Sequence, residues 1–136
     1  MRLVLAGVLV VTLVGCGGHS KSATNSQKPT KPGIRVRLTA DSHHPRVGKP
    51  WTYEVQVTDT AGKPVAASIH VQIVFGGVAV GQIGRYHVTN GVWRETIGAG
   101  ANQPFPSRAR GVPLAFEAIV KAKGLTRKVD YSIQVR

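Results

Sequence analysis

From Ile34 onward, apolar and polar residues alternate with period two along much of the chain. That spacing turns one face of a β-strand to a core and the other to water. Ile34, Val36, Leu38 and Ala40 alternate with Arg35, Arg37 and Thr39, and Trp51, Tyr53, Val55 and Val57 alternate with Thr52, Glu54, Gln56 and Thr58. Val65, Ala67, Ile69, Val71, Ile73 and Phe75 form a long row expected to face inward. Leu114, Phe116, Ala118 and Val120 form another, and Val129, Tyr131, Ile133 and Val135 close the chain. Beyond the N-terminal apolar run no apolar repeat of helical period occurs.

Turn chemistry separates these runs. Asp59-Thr60-Ala61-Gly62-Lys63-Pro64 is a dense turn signal, Gly76-Gly77 ends the long strand, and Lys123-Gly124 turns the chain again. Residues 78–83 read as a short strand broken at Gly81. Asn90-Gly91, flanked by Tyr86-His87-Val88-Thr89 and Val92-Trp93-Arg94-Glu95, predicts a hairpin with a type I′ turn and Val88 opposite Trp93. Seven to eight short strands in about a hundred residues predict an all-β fold, a single antiparallel β-sandwich of immunoglobulin type. A small closed barrel is the alternative. No Cys pair brackets a central Trp, so the antibody-type marks are absent.

The N-terminus follows a different rule. Met1-Arg2 supplies a positive start, and residues 3–14 are apolar except for Gly7 and Thr12. About twelve residues is short of the roughly 20 that span a bilayer, so 1–15 read as a signal peptide. Leu13-Val14-Gly15-Cys16 resembles the lipobox of bacterial lipoproteins. The resemblance implies that the Cys16 thiol accepts a diacylglycerol and becomes the first residue of the mature protein, anchored to the extracytoplasmic face of the cell membrane. Cys16 is the only cysteine, so no intramolecular disulfide can form. Two or three acyl chains on one Cys would hold the protein stably, at about 0.8 kcal/mol per buried methylene.

Residues 16–33 continue as GGHSKSATNSQKPTKPG after Cys16. With no large apolar side chain, such a segment cannot offset the entropy of ordering, and it reads as a disordered tether with an end-to-end distance of roughly 22 Å. Lys21, Lys28 and Lys31 make it basic. Lys21, nearest the anchor, is the one expected to feel anionic headgroups. The folded domain then covers 34–136.

His44-Pro45-Arg46-Val47-Gly48-Lys49-Pro50, an alternating strand, then Asp59, Gly62-Lys63-Pro64-Val65 and a later Gly91-Val92-Trp93 together resemble the bacterial Ig-like domains called YtkA-like. The likeness runs over most of 34–136 and consists of turn and strand motifs, so it implies fold. Some members are linked to copper handling through Met- and His-rich surfaces, whereas the only Met here is Met1.

Charge then narrows the partners. The chain holds 18 Lys and Arg against 6 Asp and Glu. All six acids and fourteen of the cations fall in 34–136, leaving that domain at about +8. Such a surface favours lipid headgroups, wall polyanions or an acidic protein face. An extracytoplasmic address and the lack of a basic helix argue against nucleic acid. Residues 98–112, GAGANQPFPSRARGV, form a long loop. Phe105 between two prolines, with Arg108 and Arg110, suits a protein or anion contact. The alternative is a crossover between sheets, with Phe105 tucked into the edge of the core.

Chemistry beyond binding finds little support. His43-His44 is the only close His pair and lacks further ligands, so no metal set is assigned. His70 and His87 fall on strands. Glu54 and Glu117 fall on outward positions, and no two carboxylates are expected together. Glu95 aligns with Trp93 and Ile97, which points to partial burial and an Arg partner. No nucleophile motif or phosphate-cradling loop occurs. The expected function is a non-enzymatic, membrane-anchored binding or accessory module, without cofactor, for an envelope protein or anionic wall polymer. The alternative is a copper or small-ligand carrier using His43 and His44.

Overall fold

A computed structural model describes residues 33–98 and 104–136 of the chain. The segment expected to carry the signal, Cys16 and nearly all of the tether lies outside the described residues. Seven strands follow one another: β1 (Ile34–Ala40), β2 (Trp51–Asp59), β3 (Ala67–Phe75), β4 (Val78–Val88), β5 (Val92–Ile97), β6 (Pro113–Ala122) and β7 (Leu125–Gln134). One sheet has the order β1-β2-β5 and the other β4-β3-β6-β7. All pairings between named strands are antiparallel. This is the expected all-β, Ig-like sandwich.

Alternation sets the core. The inward row of β2, Trp51, Tyr53, Val55 and Val57, is at most 2% exposed. It faces Ile69, Val71 and Ile73 of β3 and Phe116, Ala118 and Val120 of β6, all buried. Each such aliphatic or aromatic side chain contributes about 1.5–3 kcal/mol by leaving water.

Three local expectations change. Asn90-Gly91 does not close a hairpin, because β4 pairs with β3 and β5 with β2. Residues 89–91 instead carry the chain from one sheet to the other, and Val88 pairs with Ala67 rather than with Trp93. Gly91 suits the corner for a steric reason. Its carbonyl accepts from the Val57 N–H at 2.7 Å, φ is +70°, and a β-carbon would run into the Val57 carbonyl. Gly76-Gly77, at φ +56° and +83°, and Lys123-Gly124, at +50° and +71°, are the turns with positive φ at both central residues among the described residues; the first pairs Phe75 with Val78 and the second Ala122 with Leu125.

The second change is that 78–83 and 86–89 are not two strands. Their residues belong largely to β4, which runs unbroken to Val88, with register shifts opposite Val71/Gln72 and Ile73/Val74. Bulges let one long strand bend while keeping its partner. Thirdly, Phe75, expected inside, is 50% exposed, because the row leaves the sandwich as the hairpin tip projects past it.

The two ends of the sandwich differ. At one end Trp51 meets Phe116 and Phe105 edge-on at 5.0 and 5.6 Å, and its indole N–H donates to the Ser42 carbonyl at 2.9 Å. The last residues of the chain are clasped there by backbone bonds from Gln134 to His43, Arg136 to Pro45 and Gly111 to Val135. At the other end β1 begins, with Ile34 opposite Asp59, and Lys123 Nζ lies 3.7 Å from the Asp59 carboxylate.

Candidate functional site

The segment 104–112 lies at the aromatic end. Its residues split into an anchor and a surface. Phe105 is 1% exposed and packs against Trp51, so the ring offered as a partner contact is instead a core residue, as the alternative of a crossover between sheets had it. The reason is geometric: the chain crosses from β5 in one sheet to β6 in the other, and an apolar ring on that path fills the sandwich's open end. Arg108 sits in a short 3-10 turn, Ser107–Ala109, and Arg110 follows it. Both are exposed, and among the described residues neither is ion-paired.

Anchoring Phe105 brings the flanking residues against the β3–β4 hairpin. Ile73, Phe75, Val80, Pro104, Arg108 and Leu114 line a groove of about 510 Å³. Its hairpin side is unusually apolar, with Val78 64% and Val80 58% exposed beside Phe75. Adjoining exposed aliphatic and aromatic side chains of this kind mark contact surfaces more often than scattered ones do. Arg108 sets a guanidinium at the lip. Sequence reasoning found Arg108 but missed Val78 and Val80, because an apolar strand does not announce that its end will outrun the sheet.

The outer face of the β4-β3-β6-β7 sheet holds a second arrangement. Glu117 points outward, as expected, yet is 5% exposed. It accepts from Gln72 Nε2 at 2.7 Å and pairs with Lys128 Nζ at 3.0 Å. Gln82 extends the chain of side chains from Gln72 to His70. Asp130 stands opposite Glu117 across the β6–β7 pair, so two carboxylates do meet here, contrary to expectation. Burial pushes the Glu117 carboxyl up, but the bonds from Lys128 and Gln72 outweigh it and hold the pKa below its ordinary value. Asp130 moves the other way, raised by partial burial and by the negative charge of Glu117. Every Glu117 partner lies on a neighbouring strand, which explains why the sequence alone did not reveal the pair.

Glu95 is partly buried, as expected, but its partners are phenols and not an Arg. Tyr53 of β2 and Tyr86 of β4 both donate to Glu95 Oε2 at 2.6 Å. Tyr86 stacks on Trp93 at 4.0 Å, and the Trp93 N–H reaches the Tyr53 oxygen at 3.3 Å. This cluster ties β4 to β5 where the two sheets meet at their edges. Burial, then the bond to Glu95, raises the Tyr53 phenol far above its ordinary pKa. The same causes push Tyr86 up to about 12. The cluster joins the sheets, and its phenols are committed to Glu95.

The histidines do not converge. His43 stacks on Tyr131 at 4.2 Å and meets the Ser132 carbonyl at 2.6 Å. His44 turns toward the Gln134 carbonyl at 3.4 Å. Among the described residues, no three His, Cys, Asp or Glu side chains are grouped to hold a metal ion. No described helix is long and apolar enough to cross a membrane. Cys16 lies outside the described residues.

No protein-family model and no curated protein matches the chain. Solved structures do. The chain is similar to the sporulation control protein Spo0M of Bacillus subtilis at 14% identity and TM-score 0.48, over 76% of this chain and 49% of that one. It is similar to domains 4 and 5 of the S-layer protein SbsC at 16% identity and TM-score 0.40, over 77% of this chain and 53% of that one. The CARDB domain of a Pyrococcus furiosus protein, solved in complex with di-metal ions, matches at 16% identity and TM-score 0.50, over 76% of this chain and 93% of that one. At such identity the likeness is one of fold, and the fold this chain shares with that domain is the two-sheet antiparallel β-sandwich.

Proposed function

We propose that this chain is a lipid-anchored, extracytoplasmic and non-enzymatic binding or accessory module, and that the groove beside Arg108 receives a segment of another envelope protein. The observation that carries the reading is the apolar groove of about 510 Å³ with a guanidinium at its lip. A protein segment can fill it with an apolar side chain while a carboxylate meets Arg108. A wall polyanion would use the arginine and leave the apolar walls wet, so a polypeptide fits this end better.

The test is photocrosslinking in native membranes, with a photoreactive residue at Ala109 and the products identified by mass spectrometry. One discrete protein product, lost in Val80→Asp, is the expected result. Only lipid or polymer adducts from position 109 would overturn the partner reading. In parallel, Cys16→Ser is expected to release the protein from the membrane fraction and abolish incorporation of an alkyne-tagged fatty acid. Retention of both would overturn the anchor.

A further inference from the structure

The outer face of the four-stranded sheet carries a cationic depression that the groove reading does not use. Strand register places its residues in rows. Ser68 stands between His87 on one side and Lys121 on the other. In the next row His70 stands between Arg85 and Ile119. Successive residues on one face of a strand are about 6.8 Å apart and neighbouring strands about 4.8 Å. An arginine, a lysine, a serine hydroxyl and two imidazoles therefore surround one spot within reach of their side chains. Ser68, His70, Arg85, His87, Ile119 and Lys121 line a depression of about 580 Å³ in which no carboxylate takes part. The nearest acid on this face, Glu117, is already held by Lys128 and Gln72. Among the described residues, Arg85 and Lys121 have no ion-pair partner.

The geometry points to a binding site for a phosphate group over Ser68, presented either by a lipid headgroup or as free phosphate. Arg85 offers two parallel N–H donors to two phosphate oxygens, a match of fork to oxyanion that a carboxylate-free surface leaves open. Lys121 supplies a second positive charge from the opposite strand. The Ser68 hydroxyl lies between them, 3.4 Å from His87 Nδ1, and its proton is free to turn to a bound oxygen. Four donors from three strands around one centre suit a tetrahedral anion. A single carboxylate would engage only part of them.

The site also lies toward the end where β1 begins, since Lys121 is two residues from Lys123, the partner of Asp59. The lipid source rests on the anchoring reading, whereas the phosphate site itself does not.

The experiment uses the 15N-labelled protein purified as the cell makes it, first in an uncharged detergent. Inorganic phosphate is titrated at constant ionic strength, with chloride as the control, and backbone amide shifts are followed. Saturable shifts at Ser68, Arg85 and Lys121 are expected. Binding should weaken about tenfold in Arg85→Ala or Lys121→Ala, the loss of one charge-assisted hydrogen bond. Arg94→Ala on the other sheet should leave it unchanged.

The protein is then moved to nanodiscs of phosphatidylcholine with or without phosphatidylglycerol. The same residues shifting only with phosphatidylglycerol assign the lipid headgroup. Saturable shifts with inorganic phosphate and no response to the charged lipid assign a soluble phosphate ligand. No saturable shift with either, or an equal response in Arg85→Ala with Lys121→Ala, overturns the site. Failure here leaves crosslinking at Ala109 unaffected, so the two readings fall separately.

Discussion

The phenol of Tyr86 lies across the backbone of Gly84, in the space a β-carbon would occupy. Gly84 stands two residues earlier on the same edge of β4. Its missing side chain lets the ring lie flat, stack on Trp93 and reach Glu95 in the other sheet. Gly84→Ala must push the ring out. It is expected to destabilise the fold by about 1–3 kcal/mol, as overpacking does. Urea unfolding is the measurement. Tyr86→Phe in the Gly84→Ala background should then cost little more, since the hydrogen bond is already lost.

The same cluster makes an alkaline signature. The raised phenols favour folding while they keep their protons. That stabilisation is fully present below the unfolded tyrosine value of roughly 10 and is lost as pH rises through the folded values, of which Tyr86 stands at about 12. Stability should therefore fall above about pH 10. Glu95→Gln should lower the pH at which Tyr53 and Tyr86 ionise, read by ultraviolet absorbance. The titration should stay above that of free tyrosine, because burial is the larger cause.

Glu117 and Asp130 respond to pH in opposite senses. The lowered Glu117 pKa gives stability that is present above its unfolded value of roughly 4.3 and lost as pH falls through the folded one. The raised Asp130 pKa gives stability present below roughly 3.9 and lost as pH rises through its folded value. Asp130→Asn should thus stabilise the protein at pH 7 by about 0.5 kcal/mol or less, since solvent screens an exposed carboxyl. The gain should vanish at pH 3. Glu117→Ala should destabilise by roughly 1–3 kcal/mol at pH 7, because it strips Gln72 and Lys128 of their partner. Thermal melts of both variants across pH are the check.

Phe105 and its neighbouring arginines should separate cleanly. Phe105→Ala removes a ring from between Trp51 and the groove and is expected to cost about 3–5 kcal/mol of stability. Arg108→Ala with Arg110→Ala should leave the melting temperature within a degree or two, an ordinary surface effect, while weakening capture of the groove's partner. A large loss of stability in the arginine double variant would show that this segment is held by its surface and not by its anchor.

Sequence alone settled which residues face inward along most strands, because a period of two is a property of each strand by itself. Trp51, Tyr53, Val55, Val57, Phe116 and Ile133 were legible in that way, and so was the sandwich. It also located Arg108 and Arg110 on a surface segment. Tertiary structure alone decided which strand lies beside which. Asn90-Gly91 has the composition of a hairpin turn, yet β5 pairs with β2 and β4 with β3, and the dipeptide became a corner between sheets. The same freedom turned two phenols from different sheets onto Glu95 and drew Phe105 into the end of the core. Those relationships join residues of different sheets, and burial of a shared apolar face, a property of the whole sandwich, chose among them.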